Sequence, residues 1–264
     1  MSYQEAVASE VRETNRTFYA DYYHRPLFNL RYEYLYRRQL FTETLLKLGI
    51  PRSGQRVLDA GFGYGDLLFL FDPSCDLHGL EISPSAVEQA RARAASGGYA
   101  QATFTEHDLH NLIPYADDTF DVAICSHTLE HIENTDDVVA DFYRVLKAQG
   151  VLFVFLPINE ESFHCEKSKH IWKFTTDNFC QMAERCGFRT VSVLEHQFFD
   201  MPFKAFVPFG RRHPVFDVLR RIVQYTLGLF IVRVGGRRID QLLERLHCPA
   251  TCLLIVLRKE PASC

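Results

Sequence analysis

The residues able to do chemistry gather on a few short stretches. VLDAGFGYGD (57–66) places Gly61, Gly63 and Gly65 on alternate positions behind Asp59. Glycine supplies the unusual dihedrals of a tight turn and, lacking Cβ, lets backbone lie against a ligand. Glu81 follows 22 residues after Asp59, and a carboxylate can accept from two neighbouring hydroxyls at once. Asp108 stands in EHDLHNLIP, and histidines cluster in SHTLEHI (126–132) and KHIWKF (169–174). Imidazole, with a reference pKa of about 6.5, is a natural base for a hydroxyl nucleophile, which makes His127 and His170 the candidate catalytic groups.

These residues need a scaffold. Short apolar runs at 56–60, 76–81, 102–107, 120–126 and 150–157 predict strands, and 65–72, 84–96 and 135–148 predict helices between them. A helix over 28–49, stopping at Gly49 and Pro51, leads in. A helix over 175–187, closing at Gly187, precedes strands 189–196 and 251–258. Alternating strands and helices give a doubly wound α/β sheet, mostly parallel, with helices on both faces. Ligands of such sheets sit outside the carboxyl ends of the strands where strand order reverses, and the glycine turn closes the first strand at that edge.

The turn reads D-x-G-x-G-x-G. It lacks the G-x-G-x-x-G spacing of dinucleotide sites, and no G-x-x-x-x-G-K-[ST] phosphate loop occurs. It resembles motif I of class I S-adenosylmethionine-dependent methyltransferases, small-molecule type, and the resemblance spans residues 45–195. The resemblance implies a seven-stranded Rossmann-like sheet of order 3-2-1-4-5-7-6 with S-adenosylmethionine as cofactor and S-adenosylhomocysteine as product. It further implies that Asp59, Gly61, Gly63 and Gly65 hold the amino-acid end of the cofactor and Glu81 the ribose. Asp108 would take the adenine amino group with Leu109 beside the ring, and Ile82 and Ser126 complete the cofactor set. FDVAICSHTLEHIEN looks like motif IV, which leads to the transfer site.

His127-x-x-Glu130-His131 is formally an H-x-x-E-H zinc-protease signature, but it starts at a strand end rather than inside a helix, so that reading is rejected. The stretch is also similar to the E-x-x-E-H motif of metal-dependent O-methyltransferases, which carry a further histidine after strand five, here His170. With His127 replacing the first acid, the metal ligands stay unknown. A divalent metal is the weaker alternative to a packed or capping role for His131. No Asn/Asp-Pro-Pro-Tyr motif follows strand four, so a hydroxyl acceptor on a small molecule is expected rather than N-methylation of DNA or protein.

Composition bounds the rest. Of 264 residues 47% are hydrophobic and 23% charged, which excludes disordered and fibrous classes. The net charge of −4 argues against nucleic acid as partner. Eight cysteines without a C-x-x-C pair, behind an N-terminus with no apolar signal core, suit a reducing cytoplasm. The expected organisation is one domain: a helical cap (1–48), a cofactor-binding core (49–198), a basic insert (199–247) and a last strand with tail (248–264). Residues 201–247 carry nine Lys+Arg against three Asp+Glu. The segment 215–234 has helical amphipathic spacing, interrupted by Asp217, Arg220, Arg221, Gln224 and Gly228, which excludes a membrane span. The insert is expected to form a helical lid between strands 6 and 7, with a homodimer contact as a second use. A cationic amphipathic helix also suits a membrane surface and a lipid-like or anionic acceptor, and a non-catalytic cofactor-binding subunit remains the rival outside enzymes.

Overall fold

The computed structural model describes residues 32–159, 170–196 and 235–260, together with positions 222, 226, 229, 230 and 233. Helix α1 (Tyr32–Lys47) is followed by β1 (Arg56–Ala60), β2 (Asp76–Glu81), α2 (Pro84–Gly97), β3 (Thr103–Glu106), β4 (Phe120–Ser126), α3 (Thr135–Val145), β5 (Leu146–Pro157), α4 (Thr176–Arg185), β6 (Phe188–His196), α5 (Gly236–Arg245) and β7 (Cys252–Lys259). The seven strands form one sheet of order β3-β2-β1-β4-β5-β7-β6. Every pairing is parallel except the two made by β7. The order and the mostly parallel character are those expected.

Burial on both faces explains why the central strands read as apolar runs. Successive side chains alternate between faces. Leu58 and Ala60 join the core under α3 and α4 with Phe142 and Phe179. Val57, Ile124, Phe153 and Phe155 join the opposite core with Phe41 of α1 and Val87 of α2. Phe41 meets Phe153 edge-on at 4.9 Å, a contact that seats α1 across the sheet and brings its N-terminal half over the carboxyl ends of the strands.

Two boundaries differ from expectation. The predicted helix at 65–72 is instead a run of turns with one short 3₁₀ segment, Leu68–Leu70. Asp72 precedes Pro73, which disfavours a helix there, and the Asp72 carboxylate accepts from Ser74 N–H at 2.9 Å, closing a local turn. The helix expected to reach 148 ends at Val145, and β5 starts directly at Leu146. Leu146 pairs with Phe120, and Lys259 Nζ reaches the Leu146 carbonyl at 2.7 Å. Pairing on one side and a cation on the carbonyl draw this residue out of the helix. Trp172 is 43% exposed; its indole N–H donates to the Ile132 carbonyl at 2.7 Å, so its polar edge rather than its face is anchored.

Of the 199–247 insert, the structure describes α5 and the five helical positions between 222 and 233. Arg211, Arg212, Arg220 and Arg221 lie outside the described residues. Helix α5 packs on α1: Tyr36 Oη donates to buried Asp240 at 2.5 Å, and Gly236 lies so close to the Tyr36 ring that a Cβ there would come within 2.5 Å of it. Among the described residues no helix is long and apolar enough to cross a membrane.

Candidate functional site

The chain leaves β1 at the carboxyl edge, beside the reversal of strand order between β1 and β4. Gly61, Gly63 and Gly65 all adopt positive φ, at 79°, 53° and 68°. Gly61 N–H donates to the Leu80 carbonyl at 2.7 Å, which fastens the turn to β2. A Cβ on Gly61 would lie 2.2 Å from Thr128 Oγ1, so the turn also presses against the loop after β4. The missing side chain is what allows these two loops to meet.

Glu81 closes β2 with its side chain 5% exposed. Its Oε2 accepts from Gly63 N–H at 2.9 Å and its Oε1 from Ser83 N–H at 3.1 Å. Each oxygen keeps further acceptor capacity for a pair of hydroxyls. Ile82, half-buried, comes next in the chain. His107 N–H donates to the Glu81 carbonyl at 2.9 Å, bringing the loop after β3 to the same edge. In that loop Leu109 is buried, and Asp108 Oδ1 accepts from His110 N–H at 3.0 Å and faces His110 Nδ1 at 2.6 Å. Asp108 thus shares its carboxylate with a histidine that the sequence reading did not single out.

Asp59 is buried, and its Oδ1 has no hydrogen-bond partner among the described residues. Burial, then the negative charges of Glu81 and Asp66, push its pKa well above the ordinary carboxylate range, against a smaller pull from Arg37. Burial also raises Glu81, opposed by the N–H groups of Gly63 and Ser83. An acid whose pKa is higher folded than unfolded favours the folded state most while protonated. Its contribution is complete below the unfolded value, near 4, and declines as pH rises toward the raised folded value. The melting temperature of Asp59→Asn minus that of the wild type should therefore increase from about pH 4 toward neutrality, as thermal melts in the absence of ligand would read. A pH-independent difference would contradict a buried acid at this position.

On the other side of the crevice, Ser126 Oγ accepts from Arg37 Nη1 of α1 at 3.1 Å. His127 adopts φ 52°, its N–H donates to the Phe155 carbonyl at 2.9 Å, and its Nδ1 lies 3.5 Å from Oε1 of buried Glu130. Backbone and side chain together aim the imidazole. The Glu130 carbonyl accepts from Ile171 N–H at 2.8 Å, which carries His170 back to the motif. The rings of His131 and His170 meet edge-on at 4.7 Å. One donor atom from each of Glu130, His131 and His170 lies within 4.8 Å of the others, a spacing able to surround a cation. His170 therefore faces His131 and Glu130. His164, Tyr19, Tyr22, Tyr23 and His24 lie outside the described residues.

Two residues that the sequence reading passed over belong here. Arg37 has been met at Ser126. His196, the last residue of β6, is fully buried with its ring edge-on to Tyr36 and to Phe155, both centroids 6.0 Å away. Burial, then the positive charges of His127 and Arg37, hold its pKa well below the usual histidine value. It is a neutral imidazole at the floor of the crevice.

Residues 51–185 match a family described as "Methyltransferase domain". The ubiquinone/menaquinone biosynthesis C-methyltransferase UbiE of Desulfotalea psychrophila is 33% identical over 107 residues, 39% of this chain and 42% of that protein. The chain thus spans less than half the length of this curated relative. Among solved structures, a putative sarcosine dimethylglycine methyltransferase from Galdieria sulphuraria superposes with a TM-score of 0.61 at 17% identity, covering 86% of both chains. The phospholethanolamine N-methyltransferase 2 of Haemonchus contortus, solved with S-adenosylhomocysteine, gives a TM-score of 0.59 at 16% identity over 84% of this chain and 52% of that one. These two likenesses concern the fold.

Proposed function

The chain belongs to the methyltransferase-domain family, and from that premise we propose that it moves the methyl group of S-adenosylmethionine to a small-molecule acceptor and releases S-adenosylhomocysteine. The observation that carries this reading is the pairing of Glu81 with Gly63 N–H at 2.9 Å, which sets a diol-gripping acid against a turn of three positive-φ glycines. In this reading Asp59, Gly61, Gly63 and Gly65 receive the amino-acid end. Glu81 takes the ribose hydroxyls, Asp108 and Leu109 the adenine, and Ile82 and Ser126 line the remaining cofactor surface.

The acceptor atom we favour is a hydroxyl oxygen, with His127 as base. Its backbone is fixed at Phe155, and Glu130 can stabilise the imidazolium that forms after proton transfer. Most of the remaining acceleration would come from holding the oxygen in line with the sulfonium methyl. The name of the relative at 33% identity favours a carbon acceptor as the second reading; a phenolate or enolate offers both atoms, and the same base would generate either. The grouping of Glu130, His131 and His170 supports a divalent cation next to the acceptor, where it would lower the pKa of a bound hydroxyl. A lid role for the insert, a lipid-like acceptor and membrane-surface docking rest on the basic composition of 199–247.

Purified protein with S-adenosylmethionine and a panel of catechols and hydroquinones should release S-adenosylhomocysteine, read by mass spectrometry, while NMR of the product separates oxygen from carbon methylation. His127→Ala should lower kcat by about 10²- to 10⁴-fold. Activity lost in chelator and restored by Mn²⁺, Co²⁺ or Zn²⁺ supports the cation; full activity in chelator removes it. Absence of any heat or thermal shift with S-adenosylhomocysteine overturns the proposal as a whole, and binding without turnover on any acceptor points to a non-catalytic cofactor-binding subunit.

A further inference from the structure

We infer that the basic insert carries a membrane anchor, two outward rows of aliphatic and arginine side chains that seat the protein on an anionic lipid bilayer. This deepens the membrane-docking reading above, which stood on composition alone. Helix α5 has one face committed to the protein: Gly236 and Asp240 are buried against Tyr36 of α1. At about 100° of turn per residue, Arg238, Leu242, Arg245 and Leu246 share one arc on the far side of the helix. All four are exposed, Leu242 by 56% and Leu246 by 64%. The same intervals recur upstream in Ile222, Thr226, Leu229 and Phe230, with Arg233 three positions on. These five positions are helical and exposed, and Thr226 Oγ1 donates to the Ile222 carbonyl one turn back at 2.9 Å. Ile222, Leu229 and Phe230 each leave more than half of their surface to solvent.

A single exposed leucine is ordinary on a protein surface, but rows of apolar side chains at one-turn spacing mark an interaction surface. Charge selects the partner. Residues 201–247 carry nine Lys+Arg against three Asp+Glu, and one of those acids, Asp240, is turned inward to Tyr36. Two copies meeting through this face would set cation against cation. Nucleic acid would take the arginines but leave Ile222, Leu229, Leu242 and Leu246 idle, because bases stack on aromatic rings and guanidinium planes. A helix surface is also convex, so its aliphatic side chains suit a partner that yields around them better than one that must offer a pocket. The interface of an anionic bilayer meets every requirement: the acyl boundary receives the aliphatic groups, and the headgroup phosphates receive the guanidinium groups. Docking of this face has a consequence for the crevice. The bond from Tyr36 to Asp240 fastens α5 to α1, and the next residue of α1, Arg37, donates to Ser126 at the crevice. The anchor is thereby tied to the helix that lies over the transfer site, where an acceptor lodged in the bilayer would enter.

The test is flotation of the full chain with vesicles of equal parts phosphatidylcholine and phosphatidylglycerol, and with vesicles of phosphatidylcholine alone. The wild type should partition onto the anionic vesicles at least about tenfold more strongly, and raised salt should reduce the difference. Leu242→Glu with Leu246→Glu, and separately Leu229→Glu with Phe230→Glu, should each weaken partition by about tenfold or more. Arg238→Gln with Arg245→Gln should weaken it about tenfold on anionic vesicles and leave phosphatidylcholine unchanged. All of these side chains are exposed, so each variant should melt as the wild type does and bind S-adenosylhomocysteine within about twofold of it by calorimetry. No partition of the wild type, or partition that both leucine-containing pairs leave intact, overturns the anchor. Self-association that the same variants abolish, without vesicle binding, overturns it in favour of a second copy of the chain. The methyltransferase reading is scored apart: vesicle binding without any S-adenosylhomocysteine binding removes that reading and keeps the anchor, and the reverse result removes the anchor alone.

Discussion

Glu81→Lys is expected to weaken S-adenosylhomocysteine binding by more than about a hundredfold, and Glu81→Gln by about tenfold to hundredfold, both read by calorimetry. The carboxylate has three tasks that one substitution removes together. It accepts from Gly63 N–H and Ser83 N–H, which fixes the glycine turn against β2. In the proposed complex it also accepts the ribose hydroxyls. Lysine has no acceptor and sets an ammonium, at a site only 5% exposed, against two N–H donors. An uncompensated buried charge of this kind costs about 3–5 kcal/mol of stability, so a folded fraction must be verified by melting before affinity is interpreted. Glutamine keeps the shape and one acceptor oxygen, turns an N–H toward another N–H, and separates lost ligand contacts from lost fold. Unaltered affinity in the glutamine variant, with a normal melt, would mean that Glu81 serves only the turn.

How much of this was legible in the sequence depends on whether one stretch of chain decides the outcome. Strands 56–60, 76–81 and 120–126 lie where apolar runs predict them, because strands buried on both faces leave no polar periodicity to misread. The glycine turn was legible because its conformation demands a residue type. The segment 65–72 was misjudged because LLFLF fits a helix in isolation, while Asp72-Pro73 and the nearby turn leave it no length. Arg37 and His196 carried no signal at all. Arg37 is one of a pair of arginines on a helix, His196 the last residue of a strand, and the packing of α1 across the sheet brings both to the crevice. The bond from Tyr36 to Asp240, 204 residues apart, is the extreme case. For the Glu130, His131 and His170 grouping the sequence named all three members, and the return of Ile171 to the Glu130 carbonyl is what brings the third beside the other two.

Gly61→Ala should cost about 2–5 kcal/mol of stability and lower both cofactor affinity and kcat. Positive φ of 79° costs an alanine about 1–2 kcal/mol by itself. The added Cβ then falls 2.2 Å from Thr128 Oγ1, 2.7 Å from its Cγ2 and 2.9 Å from its Cβ. Rotating the threonine relieves the first two contacts and not the third, so backbone must shift, adding about 1–3 kcal/mol. Thr128 directly follows His127, whose N–H is tied to Phe155, and a shift there misaims the imidazole. In the proposed reading the cofactor turn and the transfer site are thus coupled where Gly61 meets Thr128. A double-mutant cycle isolates it: Gly61→Ala with Thr128→Ala should recover part of the stability and of kcat, because the two nearest atoms are gone, while the cost of the dihedral stays. Additive losses in the double variant would show that the two loops are independent and that the glycine is required for its dihedral alone.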